Sequence, residues 1–136
     1  MPKGSCFCGN VRFSYEGQPS VKALCYCTDC RKVSGSTYST NLIVPESSFR
    51  VTAGKPKRIS KKADSGNEIT SFFCPDCGTT LWRQTVAFPG SKIVKAGTLD
   101  DDITITKEIP TIELWTSRRP GWVPGLPGTM QLAEQT

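Results

Sequence analysis

Along most of this chain apolar and polar residues alternate over short stretches, which are broken repeatedly by Gly, Pro, Asn and Asp. Alternation with a period of two marks strands with one face inward, and almost no segment shows the period near 3.6 that a helix requires. The pattern predicts a mainly β fold. Val11 to Tyr15 alternates, Tyr38 to Val44 is β-prone and stops at Pro45, and Phe49 to Thr52 is a short strand before Gly54. Ile69 to Phe73 and Thr80 to Thr85 read as the arms of a hairpin. Lys92 to Ala96 and Ile103 to Thr106 read as two strands, parted by the turn-forming residues 97–102. The one helical candidate is a turn or two over Asp29 to Ser34.

Two further segments are predicted to lie at the surface. Lys55 to Gly66 holds five Lys or Arg residues and reads as a solvated loop or exposed hairpin. From about residue 120 the chain becomes a Pro/Gly-rich tail in which Pro120, Pro124 and Pro127 forbid regular structure up to Gly128. Trp115 and Trp122 nearby favour docking of this tail on the domain, since large aromatics offer much apolar area to bury.

A length of 136 residues, 37% of them apolar, fits one domain spanning 1–136 with a modest core. The chain has no run of about 18 apolar residues, so no membrane association is expected. The polar start Met1-Pro2-Lys3-Gly4 carries no apolar leader, which points to the cytoplasm. The formal charge of +5 would suit a nucleic-acid partner, and a binding module would use the Lys55 to Lys62 run. That run is short and has no stacking aromatics among its residues, so nucleic acid is not the expected ligand.

Seven cysteines and no histidine change the picture most. The cysteines fall into three tight groups: Cys6 and Cys8; Cys25, Cys27 and Cys30; and Cys74 and Cys77. A disulfide framework fits poorly, because the count is odd and nothing routes the chain to an oxidising compartment. Thiolates one or two residues apart bite a single ion from a tight knuckle, and among abundant metals they prefer zinc. Cys6 and Cys8 precede the Val11 strand, while Cys74 and Cys77 form the tip of the predicted hairpin, so together they make a four-sulfur structural staple. The middle group keeps three sulfurs, which leaves one coordination position for a reacting group, as catalytic zinc requires. Filled by two zinc ions over ionised thiolates, the formal charge falls to an ordinary +2.

The runs Gly4-Ser-Cys-Phe-Cys-Gly-Asn-Val-Arg-Phe13, Cys25-Tyr-Cys-Thr-Asp-Cys-Arg-Lys-Val-Ser-Gly35, Phe73-Cys-Pro-Asp-Cys-Gly-Thr-Thr-Leu81 and Gly97-Thr-Leu-Asp-Asp101 resemble the glutathione-dependent formaldehyde-activating enzyme family, also called the GFA or CENP-V domain. The resemblance runs from about residue 4 to 123. It implies a β-tent fold of short antiparallel sheets with zinc-binding knuckles, and two zinc ions per chain. Cys6, Cys8, Cys74 and Cys77 would hold the structural ion, and Cys25, Cys27 and Cys30 the catalytic one. It also implies a carbon–sulfur lyase or adduct-forming activity, with glutathione as co-substrate and a small aldehyde or related electrophile as its partner. Many relatives carry histidines at the positions of Tyr26 and near Ile112, and this chain has neither.

A three-thiolate zinc would take a substrate thiol as thiolate, or polarise a carbonyl oxygen; strong charge donation by three sulfurs favours the first. Without histidine the candidate bases are Asp29, Tyr26, Tyr38 and Glu113, each with an ordinary structural role in competition. Asp29 is expected to cap the turn that follows it. The two tyrosines would be core or surface residues, and Glu113 a solvated charge. Arg31, Lys32, Arg118 and Arg119 are candidates to grip the carboxylates of glutathione, and Ser34-Gly35-Ser36 to offer amides to an anion. The competing function is a zinc-stabilised, chaperone-like binding module without turnover, for which one closed site would suffice.

Overall fold

The computed structural model describes residues 1–134; the last two positions of the predicted tail lie outside the described residues. The fold is mainly β. In chain order the elements are β1 (Lys3–Ser5), β2 (Arg12–Tyr15), β3 (Val21–Cys25), α1 (Thr28–Ser34), β4 (Ser39–Pro45), β5 (Phe49–Ala53), β6 (Lys57–Lys62), β7 (Glu68–Phe73), β8 (Thr80–Thr85), β9 (Ser91–Lys95), α2 (Asp102–Lys107), β10 (Ile112–Leu114) and β11 (Met130–Gln131). A three-stranded sheet runs β1-β2-β5, and an eight-stranded sheet runs β11-β10-β3-β4-β9-β8-β7-β6. Pairing is antiparallel as the resemblance implied, except that β10 lies parallel to both β3 and β11. Both partners arrive through long connections rather than hairpins, which is the route a parallel pair needs.

The two sheets share an apolar core. Val11, Phe13 and Tyr15 face Leu42, Val44, Leu81, Trp82 and Val94, all buried. Trp82 is the hub: Phe49 meets it edge-on at 4.8 Å and Phe72 stacks on it at 5.2 Å between ring centroids. Offset and edge contacts of this kind stabilise beyond the area they bury. Gly4 lets β1 approach, since a Cβ there would lie 2.2 Å from the Phe13 ring. A second cluster, from Ala23, Cys25, Tyr26, Leu114 and Trp115, packs beneath the middle cysteines.

Two expectations change and one narrows. Ile103 to Thr106 is the helix α2, not a strand: Asp101 caps it by accepting from the Ile103 amide at 2.9 Å, and Asp102 and Lys107 complement its ends. Local capping outweighs the β preference of its Ile and Thr residues on a largely exposed element. Lys55 to Gly66 resolves as the exposed hairpin, with β6 as its outer arm. In the tail, Trp115 is buried at 8% exposure but Trp122 is not, at 76%. Docking rests instead on β11 and on polar contacts to β10.

Candidate functional site: two cysteine centres

The four outer cysteines converge. Cys6 and Cys8 turn back on Gly9, whose φ of +82° a side chain would strain, and Cys74 and Cys77 cap the β7–β8 hairpin. All four Sγ atoms lie within 4.8 Å of one another, with Cys6 to Cys8 at 3.6 Å and Cys8 to Cys74 at 3.7 Å. Sulfurs bound tetrahedrally at zinc–sulfur distance stand about 3.8 Å apart, so the donor set fits that ion. The amides of Val11 and Asp76 point at the sulfurs of Cys6 and Cys74 at 3.3 and 3.4 Å, and the Val11 bond helps to hold the Cys6 thiol below its ordinary value. Thr79, 3.3 Å from Cys77, draws that thiol down to about 5. Across the gap, Asn10 donates to Asp76 and the Phe7 amide to Thr79, each at 3.0 Å.

The middle three form a separate centre. Cys25 ends β3, Cys27 precedes α1 and Cys30 lies in its first turn; all are buried and their sulfurs fall within 4.8 Å. Cys27, not Asp29, caps α1, because its extended backbone aims the sulfur at the Cys30 amide 3.3 Å away. Gly35, at φ +68°, ends the helix by returning its amide to the Arg31 carbonyl. The hydrogen bonds of Cys25 and Cys27 pull the Cys30 thiol far below its ordinary value. The same bonds from Cys27 and Cys30, with burial, push Cys25 far up. Three thiols this close resist ionising together; doing so calls for a divalent cation, and a soft one suits sulfur.

Asp29 turns outward to the β6–β7 hairpin tip, accepting from Lys61 at 2.9 Å and the Asp64 amide at 3.0 Å. Asp64 in turn accepts from the Thr28 amide and pairs with Arg118 at 2.7 Å. Arg118 is therefore spoken for, as is Arg119, which binds Glu113 and Gln131. Arg31 and Lys32 remain exposed, make no ion pair among the described residues, and flank a groove with Ser36 and the exposed Trp122. A cleft of about 520 Å³ opens beside α1, lined by Tyr38, Ser39, Thr79, Lys95 and Gly97 among others. That size suits a small-molecule ligand. A second cavity of about 40 Å³ touches Cys25, Cys30, Arg83 and Lys95.

Sequence reasoning overlooked Lys95 and Arg83, both buried. Their signal was weak, because a cation in a strand reads as outward-facing until the strand is known to lie mid-sheet, as β8 and β9 do.

Glu113 also departs from expectation. It is fully buried rather than solvated, and both carboxylate oxygens are engaged. Tyr26 donates to one at 2.7 Å, while Thr129 and the Leu126 amide, at 3.1 Å, donate to the other. Burial alone would raise its pKa, but the bonds from Thr129, Tyr26 and Leu126 and the charge of Arg119 outweigh it and hold the carboxyl below its ordinary value. Glu113 is thus the anchor of the tail, not a free base. A depressed carboxyl stabilises above the ordinary carboxylate range and lets go only as pH falls through its lowered value. Amide protection of Leu126 and Leu132, corrected for intrinsic exchange, should stay flat from pH 8 to 5. In Glu113→Gln it should drop by roughly 10- to 100-fold, given about 1.5–3 kcal/mol for hydrogen bonds to a charge. A loss of protection confined to pH above 7 would contradict the anchor.

Together these features define a cysteine-rich β domain with one complete and one incomplete sulfur donor set for metal. The family model of the glutathione-dependent formaldehyde-activating enzyme matches residues 1–118, and the chain belongs to that family. A crystal structure of a protein from Rhodobacter sphaeroides, 22% identical, superposes with a TM-score of 0.60 over 79% of this chain and 97% of that one. That likeness supports the fold. No curated protein matches the chain. No helix among the described residues is long and apolar enough to cross a membrane.

Proposed function

We propose that this chain is a zinc enzyme that makes or breaks a carbon–sulfur bond between glutathione and a small aldehyde or related electrophile. Cys25, Cys27 and Cys30 are its catalytic ligands, and Cys6, Cys8, Cys74 and Cys77 hold a structural ion. One observation carries the reading: three buried sulfurs stand together with no fourth cysteine among them, two of them, Cys25 and Cys30, lining a small cavity, in a chain of this family. Zinc held by these three sulfurs would supply a site that favours the thiolate form of a thiol at neutral pH.

The protein's own residues bind and orient. Helix α1 fixes Cys27 and Cys30 in one turn, so both sulfurs face Cys25. Arg31 and Lys32, with Trp122 across their groove, receive the carboxylates of glutathione, guanidinium in the bidentate mode and ammonium as a point charge. Asp29 and Glu113 are occupied by Lys61 and by the tail, so neither serves as base, and the thiol proton would pass to solvent. The cytoplasm, where glutathione is abundant and thiols stay reduced, suits this chemistry.

Metal content tests the reading. Gently purified protein should hold two zinc ions per chain and accelerate the equilibration of glutathione with formaldehyde, followed by exchange-sensitive NMR. One ion per chain and no acceleration with any small aldehyde would favour the non-catalytic binding module.

A further inference from the structure

Lys95 and Arg83 pose an electrostatic problem that the proposed chemistry resolves. Both side chains are buried, at 8% and 4% exposure, and neither has a carboxylate partner among the described residues. An unpaired buried cation is costly, because the interior replaces little of its lost hydration. Both instead line the small cavity shared with Cys25 and Cys30.

The hydrogen bonds are directional. Lys95 Nζ donates to Asn41 Oδ1 at 2.6 Å and to Ser39 Oγ at 3.2 Å, and Asn41 Nδ2 donates to the same Ser39 oxygen at 3.0 Å. The Ser39 hydroxyl points to Asn41 Oδ1 at 3.4 Å, so Lys95, Asn41 and Ser39 hold one another in place. Asn41 and Lys95 share the wall of the small cavity with Cys25 and Cys30, which keeps the ammonium beside the sulfur centre.

Charge balance gives the consequence. Three thiolates around a divalent ion carry one net negative charge, against two positive ones on Lys95 and Arg83. One further anion closes the balance, whereas a neutral ligand leaves an excess buried charge. Resting on the three-sulfur reading above, we propose that Lys95, seconded by Arg83, is a positioning residue that makes the open position of the Cys25, Cys27 and Cys30 centre select an anionic ligand over a neutral one. In the reaction that anion is the thiolate, and the same charge retains it while the carbon–sulfur bond forms or breaks.

The test uses cobalt-loaded full-length protein, whose visible and sulfur charge-transfer bands report on ligands at the three-sulfur centre; the four-sulfur centre, already saturated, stays silent. Azide and 2-mercaptoethanol serve as anionic probes and imidazole as the neutral one. Lys95→Met should cut the azide-to-imidazole affinity ratio by about tenfold or more, with 2-mercaptoethanol following azide, and Lys95→Arg should restore most of it. Should Lys95→Met fail to load cobalt, Arg83→Met decides, with a severalfold fall in the same ratio expected. A responsive wild type with an unchanged ratio in the loaded variant overturns this inference alone. A wild-type spectrum indifferent to all three probes removes the open position itself, and the inference with it.

Discussion

Replacing Cys27 with Ala should abolish turnover while leaving the protein folded. Two sulfurs on separate elements, Cys25 at the end of β3 and Cys30 in α1, hold an ion far less well than three. Loss of mere supporting contacts already costs metal sites 10- to 100-fold, so removal of a ligand should exceed about a hundredfold. The fold survives because Cys27 adds only a helix cap, worth about 1 kcal/mol, and the other four cysteines remain. Zinc per chain should fall from two to one, with the far-ultraviolet circular dichroism unchanged. Full turnover in this variant would end the catalytic assignment of the middle centre.

Cys74→Ala should do the opposite kind of damage. Cys74 is completely buried and brings the tip of the β7–β8 hairpin against the Cys6 and Cys8 turn, so one ion there would join the two sheets. Structural zinc binds zinc-finger peptides with about 10 kcal/mol or more, which is as large as the whole stability of a typical domain. The variant should be largely insoluble or unfolded, and a strong chelator should melt the wild type in the same way. A soluble Cys74→Ala protein whose thermal midpoint moves by only a few degrees would show that the sheets hold without the staple.

Much of this was legible in the residues because knuckles are local. Cys6 with Cys8, Cys25 with Cys27 and Cys30, and Cys74 with Cys77 announce themselves by spacing, and the hairpin carrying Cys74 and Cys77 follows from alternation on either side. What stayed hidden depends on remote partners. β3 and β10 are short and went unrecognised, yet their pairing, with Glu113 opposite Leu24 and Leu114 opposite Cys25, floors the middle cysteine centre. Glu113 looked like any surface acid, since its donors Tyr26 and Thr129 lie far along the chain. α2 misled for the opposite reason: its β-branched residues spoke for a strand, while Asp101 decided for a helix.

The strand β6 bears on how this protein lives in a crowded solution. It ends the eight-stranded sheet, six residues long and exposed throughout, so its outward amides and carbonyls would template any passing strand. Lys57, Arg58, Lys61 and Lys62 stand on it, and two such borders brought side by side would repel. At the far border β11 offers only two residues, too few to recruit a neighbour. The basic run along this border would thereby guard against self-association, and neutralising it should promote fibrils.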